Sequence, residues 1–419
     1  MYRYHKENKF LNINDLPLNQ LNSKSHFVIF GTGHLGVVCL NALRALKIEP
    51  SAFCDSNPDS CNTQLLNVTV KTLQQTASEH RDAVFVIAAF RHDVRDQMCK
   101  LLLDNMKDNG TFEAYFPMSL FKWYYINHVK RPIILSEFED TIRRCFTEEG
   151  NDYNVDTSQV HINQHCTLLC KHCSNCVPYL PVRRHENSDE IIATVQGFCE
   201  IIDSVRTLTL VGGEGLLHPE IVKIMEGITK CSKVMAITIV TNGTWIPNDD
   251  VFIAMSRFGI ALRISGYKDV SDKIDELASK CIEFGVVFFR EARSNTFINY
   301  GTIQQQINGF KRTYEENIIV FNNCIYISRE HTRVGTSILA RGRWYLCDRY
   351  VILANLGAID ENTLDGTGFV SVIKNVDKQD DRKKQFLNAI MCECLPVCDH
   401  CKFPQTVIPA GEQLTCSGS

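Results

Sequence analysis

His165-Cys-Thr-Leu-Leu-Cys-Lys-His-Cys-Ser174 decides the reading of this chain. Cys166, Cys170 and Cys173 form a C-x3-C-x2-C run, which offers three thiolates and not four. Thiolates are the usual ligands of iron–sulfur clusters, and a cubane carries four irons, so three cysteines leave one iron open. An open coordination position is what a metal site needs to do chemistry as well as hold a fold. C-x2-C alone suits zinc, and Cys176 is near enough in sequence to be a fourth thiolate, so a structural zinc site is the competing reading.

The surroundings of the loop are α/β. Val160-His-Ile-Asn163 reads as a strand feeding the cysteines. Ser188-Asp-Glu190 offers a helix N-cap followed by two acids, and Ile191, Ile192, Val195, Phe198, Ile201 and Ile202 keep helical spacing. Strand Thr207–Val211 runs into Gly212-Gly213-Glu214, and Pro219 opens a helix. Strands at Val234–Val240, Ala261–Ser265 and Val286–Phe289, with a helix over Asp272–Glu283, continue the pattern. Such serial units predict a parallel sheet curved into a partial barrel, with working groups at the C-terminal strand ends.

With these motifs in place, the segment 156–320 resembles the radical SAM superfamily. Cys166/Cys170/Cys173, Gly212-Gly213-Glu214, Thr241-Asn242-Gly243 and Ser265 at successive strand ends carry the resemblance. It implies a partial (β/α)6 barrel and a [4Fe–4S] cluster whose open iron binds S-adenosylmethionine. Reductive cleavage then yields a 5′-deoxyadenosyl radical that takes hydrogen from a substrate. Glycines 212 and 213 are expected to let a ligand approach the backbone. Glu214 is expected to meet the ammonium of S-adenosylmethionine, Thr241 and Ser265 its carboxylate or ribose, and Asn242 is a further cofactor-binding residue. Two departures are noted: His172 replaces a frequent aromatic residue before the third cysteine, and Gly215 replaces a frequent proline after the glutamate.

A second cysteine set, Cys324, Cys347, Cys398 and Cys401, has the form C-x17-G-x4-C, a long gap, then C-x2-C, with Gly342 as the internal glycine. It resembles the twitch domain, the shortened relative of the SPASM domain. The resemblance implies an auxiliary [4Fe–4S] cluster with four protein ligands and an electron-relay or structural role. Cys392 and Cys394 are alternative ligands, and Cys416 a further one. A zinc knot is the competing reading. Short strands are expected at Cys324–Ser328 and Arg349–Ala354.

The first 125 residues alternate strand and helix. Strand His26–Phe30 leads into Gly31-x-Gly33-x-x-Gly36, then a helix, with Asp55 closing the next strand. In this context the glycines would turn a helix N-terminus toward a phosphate and Asp55 toward a ribose hydroxyl. The region resembles small Rossmann-like domains that bind nucleotides or nucleotide-sugars. A degenerate scaffold or docking domain is the alternative.

The expected architecture is therefore α/β, in order: a Rossmann-like parallel sheet (1–125), a connector (126–155), the radical SAM core (156–320), a twitch-like cluster domain (321–405) and a tail (406–419). Nineteen cysteines with no secretory signal point to metal sites in a cytoplasmic protein before disulfides. Cys39, Cys99, Cys199 and Cys281 read as buried small hydrophobes. A net charge of −4 and the lack of a basic stripe argue against nucleic acid, and no apolar run suits a membrane span.

The leading expectation is oxidation of an alcohol on a sugar, cyclitol or nucleotide-linked substrate, with the auxiliary cluster taking the electron. Arg290 is the candidate base or substrate contact, with Arg293 near it. A flavodoxin or ferredoxin is the expected reductant. The alternatives are epimerisation, dehydration or rearrangement of a nucleotide-linked sugar, maturation of a peptide, and a non-catalytic redox sensor that binds metal and nucleotide.

Overall fold

The computed structural model describes residues 14–23, 26–106, 112–147, 153–267, 270–290, 296–324, 326, 334–360, 367–374 and 380–414. The N-terminal unit contains β1 (Asn14–Asp15), β2 (Phe27–Phe30), α1 (His34–Ala45), β3 (Ala52–Cys54), β4 (Thr63–Leu65), β5 (Val68–Lys71), α2 (Leu73–Glu79), β6 (Val84–Ile87), α3 (His92–Met106) and β7 (Glu113–Phe116). Its strands run in the order β1-β7-β6-β2-β3-β5-β4, and only β4 is antiparallel to its neighbour. From β2 the chain winds outward through β3 and β5, then returns to β6 on the other side. Ligand crevices form at such reversals. The all-apolar β2 is explained by cover on both faces: Phe27 and Ile29 enter one core, Val28 and Phe30 another.

The segment expected as a connector is an integral wall. It holds the end of α4 (Met118–His128) and all of α5 (Leu135–Thr147). Phe138, Ile142, Cys145 and Phe146 of α5 share a core with Met235, Ala261 and Val287 of the next sheet. The buried Arg131 guanidinium donates to the carbonyls of Met235 (3.1 Å) and Cys231 (3.2 Å), fastening the two units.

The second sheet begins with β8 (Asn154–Asn163), α6 (Ser188–Ile201), β9 (Ser204–Gly212), α7 (Ile221–Ile228), β10 (Val234–Thr241), α8 (Asp249–Phe258), β11 (Ile260–Ile264), α9 (Ile274–Phe284) and β12 (Phe288–Arg290). The C-terminal region adds β13 (Thr296–Ile298), α10 (Ile303–Asn308), α11 (Tyr314–Asn322), β14 (Val334–Ala340), β15 (Arg343–Tyr345), α12 (Arg349–Asn355), β16 (Phe369–Ser371), α13 (Arg382–Ile390) and β17 (Val407–Pro409). The order is β12-β11-β10-β9-β8-β14-β15-β16. β14 lies parallel against β8, so the sixth parallel strand comes from the cysteine-rich C-terminal region. That region continues the sheet, and β15 and β16 extend it antiparallel. Arg341 (φ +49°) and Gly342 (φ +71°) make the two-residue turn between β14 and β15. Both central residues of such a turn take positive φ, which explains the internal glycine of the cysteine pattern.

Two local expectations are corrected, and a third falls mostly outside the described residues. Asn187, not Ser188, caps α6: its Oδ1 accepts the N–H groups of Asp189 and Glu190, while the Ser188 hydroxyl donates to Glu220. Arg349–Ala354 is helical, not extended. Its apolar residues are buried all round, and a short apolar run of that kind has no period to distinguish helix from strand. Of the strand expected at Cys324–Ser328, only Cys324 and Tyr326 are described, so that expectation lies largely outside the described residues. Cys39, Cys99, Cys199 and Cys281 are buried, as their apolar neighbours require. Among the described residues no helix is long and apolar enough to cross a membrane.

Candidate functional site

The C-terminal ends of β8 to β11 deliver the cysteine loop, Gly213-Glu214, Asn242 and Ser265 to one edge of the sheet. Within the loop, the Cys173 N–H donates to Cys170 O (3.1 Å) and the Cys176 N–H to Cys173 O (2.9 Å). Cys166 Sγ accepts the N–H of Leu168 (3.4 Å) and the side-chain amide of Asn242 (3.5 Å). The three thiols lie within electrostatic reach of one another through Cys166, which feels Cys170 and is felt by Cys173. Burial pushes the Cys166 thiol up to about 11 and the Cys173 thiol up to about 12. Thiols so placed become thiolates only against a compensating cation, which a metal centre provides.

This donor set fits an iron–sulfur centre with one position open to non-protein ligands. Cys176, the conceivable fourth thiolate of a zinc site, is buried, and its thiol donates to Gln306 Oε1 (3.4 Å). Among the described residues no three His, Cys, Asp or Glu side chains converge closely enough to share one metal ion.

Gly212 and Gly213 serve a purpose other than the one expected. A Cβ on Gly212 would lie 2.1 Å from Asn163 O, and one on Gly213 2.1 Å from His165 O. The close approach is made by the chain's own cysteine loop, not by a ligand. It lets Gly213 N–H reach Asn163 O (3.0 Å) and Glu214 N–H reach His165 O (2.7 Å).

Glu214 is buried, and both carboxylate oxygens already accept backbone N–H groups, from Leu216 (3.1 Å) and Asn242 (2.7 Å). Burial nevertheless raises its carboxyl to about 7, against the lowering effect of those bonds. Thr241 also bonds Glu214, and its hydroxyl accepts the Gly243 N–H (3.2 Å). Asn242 spans two loops: its amide donates to Thr167 Oγ1 (3.0 Å), and its Oδ1 accepts from Thr244. Ser265 follows β11 directly, with its N–H on Thr241 O (2.9 Å).

The members of the second cysteine set lie within electrostatic reach of one another. Cys347 feels Cys401, Cys324 and Cys398, and Cys398 feels Cys401 and Cys324. Burial pushes the Cys347, Cys398 and Cys401 thiols up, Cys401 to about 12. Cys394 lies beside Cys398 but is hydrogen-bonded by Tyr314. Cys416 lies outside the described residues.

Between the two sets sits Arg349, which sequence reasoning missed. It is 1% exposed. Its guanidinium donates to Ser174 O in the cysteine loop and to Gln306 Oε1 (3.0 Å), lies 4.0 Å from the Tyr300 ring centroid, and pulls down the Cys401 thiol. His161, on β8, feels the charges of Asp348, Arg341 and Arg349, and its buried Nε2 finds no hydrogen-bond partner among the described residues. Burial depresses that imidazole to about 4, so it is neutral. A cavity of about 180 Å³ lined by Lys171, His172, Cys173, Cys176, Tyr300 and Gln306 adjoins this region.

Arg290 does not join the group. It ends β12 exposed, and its guanidinium is held by Asp275 of α9 (2.8 Å), because the last residue of that short edge strand points toward solvent. Arg293 lies outside the described residues.

In the N-terminal unit a cavity of about 250 Å³ opens at the β2/β6 reversal, lined by Gly31, Thr32, Gly33, Asp55, Ala88 and Gln97. Gly31 has φ +111°, and a Cβ on Gly36 would lie 2.0 Å from Gly31 O, so these two glycines shape the turn. Nothing lies within 4 Å of a Cβ on Gly33. Asp55 is turned into the loop: it accepts from Thr32 N (3.0 Å), Thr32 Oγ1 (2.5 Å) and Asn57 N (2.9 Å).

Comparison with known proteins bears on the same segment. Residues 160–280 match the radical SAM superfamily, and the chain carries a radical SAM domain there. Over 142 residues it is 25% identical to GTP 3′,8-cyclase of Peptoclostridium acidaminophilum, covering 32% of this chain and 39% of that protein. Over 122 residues it is 28% identical to the molybdenum cofactor biosynthesis protein moc-5 of Caenorhabditis elegans, covering 28% of this chain and 18% of that protein. The chain thus spans under two fifths of the curated relatives it matches. Among solved structures, BtrN in complex with AdoMet and 2-DOIA overlaps 46% of this chain and 74% of its own, with 15% identity and a TM-score of 0.32.

Proposed function

We propose that this protein is a radical SAM oxidoreductase with two [4Fe–4S] centres: one open, on Cys166, Cys170 and Cys173, and one fully protein-ligated, on Cys324, Cys347, Cys398 and Cys401. The single observation behind the reading is a three-thiol loop beside a buried carboxylate at the C-terminal edge of a parallel sheet. When bound, such a centre with S-adenosylmethionine supplies reductive cleavage of the sulfonium and hence a radical that removes substrate hydrogen.

The chain's own residues have defined tasks in this reading. Glu214 receives the cofactor ammonium, and Asn242 ties its strand end to Thr167 and Cys166. Thr241 and Ser265 border the same edge. Cys324, Cys347, Cys398 and Cys401, in a twitch-like domain, would hold the second centre, which would supply an acceptor for the electron released when an alcohol is oxidised. The N-terminal unit, Rossmann-like in winding, holds a nucleotide or a nucleotide-linked substrate in the cavity at Gly33. A flavodoxin- or ferredoxin-type protein supplies the reducing electron.

The test is release of 5′-deoxyadenosine from S-adenosylmethionine by anaerobic, dithionite-reduced protein. The expected result is release by wild type at about eight irons per chain and none by Cys166→Ala. Zinc in place of iron would end the reading. For the N-terminal unit, Gly33→Val should abolish binding of a fluorescent nucleoside diphosphate while leaving the melting temperature unchanged. A second outcome, ring formation or rearrangement of a nucleotide, draws support from the similarity to a protein named GTP 3′,8-cyclase. Product mass separates the two, because oxidation removes two hydrogens and an isomerisation removes none.

A further inference from the structure

After β17 the chain returns to the first cysteine loop. Gly411 turns with φ +79° against Tyr267, and residues 411–414 then run antiparallel to 169–171, with Gln413 opposite Cys170. Lys171 N–H donates to Glu412 O (2.7 Å) and Leu414 N–H to Leu169 O (2.9 Å). Gln413 bonds the loop through both ends of its amide: Oε1 accepts the Leu169 N–H (2.8 Å), and Nε2 donates to Cys170 Sγ (3.4 Å) and to Gly411 O (2.7 Å). The Lys171 ammonium pairs with Glu412 at 3.0 Å. Upstream, β17 is held by its antiparallel pairing with β13. The middle of the cysteine loop therefore takes its backbone partners from a segment more than 240 residues away.

We propose that residues 411–414 are a strap completing the first cluster's site, and that Gln413 is a positioning residue whose amide fixes the Cys170 thiolate and sets the cluster's potential. The inference rests on the reading that Cys166, Cys170 and Cys173 hold a cubane. The physical ground is that reduction places added negative charge on the cluster and its sulfur ligands. A donor to a ligand sulfur stabilises the reduced form more than the oxidised one. Removing it lowers the potential. The same amide spans Leu169 N–H and Cys170 Sγ, so its loss also frees the loop that presents the ligand.

The test uses full-length protein reconstituted anaerobically, with dithionite as electron donor, in wild type, Gln413→Leu and the size-matched Gln413→Glu. The reduced cluster is followed by the electron paramagnetic resonance signal that changes on adding S-adenosylmethionine, and iron retention by the rate of loss to a chelator. At a potential where wild type is half reduced, both variants should show a reduced-to-oxidised ratio about 3–10-fold smaller and faster iron loss. A variant that remains folded by circular dichroism yet takes up no iron at the first site would also support the strap. Wild-type ratios and chelation rates in both variants would overturn it. A wild-type protein lacking the cofactor-responsive signal would instead sink the cluster reading itself.

Discussion

The Glu214 carboxylate accepts the Asn242 backbone N–H at 2.7 Å, joining the end of β9 to the end of β10 beside the cysteine loop. The carboxyl is buried, and its pKa is displaced upward to about 7 because desolvation outweighs its hydrogen bonds. Its charged form is therefore costly, and an incoming ammonium is the natural compensation.

A pH dependence follows. A cation that binds the ionised carboxylate must displace the proton wherever Glu214 is protonated in the free protein. S-adenosylmethionine affinity should be level above about pH 7 and fall toward tenfold per unit below it. Equilibrium binding measured between pH 6 and pH 8 checks the slope, and flat affinity across that range refutes the role. The sign for stability is opposite. With the folded pKa above the ordinary carboxyl value, the folded state binds the proton more tightly, so ligand-free protein should lose stability as pH rises from about 4.5 to about 7.

Gly213 and Gly33 should behave oppositely on replacement by alanine. The Gly213 methyl would meet His165 O at 2.1 Å, a backbone atom that cannot yield without moving the cysteine loop. Gly213→Ala should cost about 2–4 kcal/mol and lower iron content. Gly33 has φ −75° and open space, so Gly33→Ala should lie within about 0.5 kcal/mol of wild type. Urea denaturation of both variants is the measurement.

How far the site could be read from sequence depended on whether its contacts were local. The three cysteines, Glu214, Asn242 and Ser265 each follow a strand with a clear apolar signature, so a parallel sheet brings them to one edge. Local pattern failed where partners are distant. Gln413 reaches Cys170 across 243 positions, and no polar residue in a tail announces such a contact. β14 joins β8 across the whole radical SAM segment. Arg349 begins a buried run without period, and Arg290 looked well placed only because strand ends were taken as equivalent. The edge strand β12 exposes its last residue, whereas the central strands bury theirs.

Cys176 separates the cluster from the zinc reading. Its thiol is spent on Gln306, with its backbone at φ +53°. Cys176→Ser should keep iron content and visible absorption near wild type and cost about 1–2 kcal/mol for a replaced buried bond. Cys166→Ala should lose the first cluster's iron. Equal loss of metal in both variants would mean that Cys176 is a ligand after all.

Arg349 yields the sharpest prediction, because one guanidinium touches both cysteine regions. It donates to Ser174 O on the first loop and faces Cys401 of the second set, with Tyr300 against its plane. Arg349→Met would leave the Ser174 carbonyl and Gln306 Oε1 without this buried donor and Asp348 without its cationic neighbour. Stability should fall by about 3–5 kcal/mol, the cost of breaking a buried charged partnership. Arg349→Lys should recover only part of it, because an ammonium cannot reproduce the planar fork that bonds two acceptors while stacking on a ring. If the bridge is real, iron should decline at both centres together. Partial iron analysis beside the Cys398→Ala/Cys401→Ala protein, in which only the first centre remains, tells coupled loss from loss at one site. A decline confined to the second centre would mean that the Ser174 contact does not support the first loop.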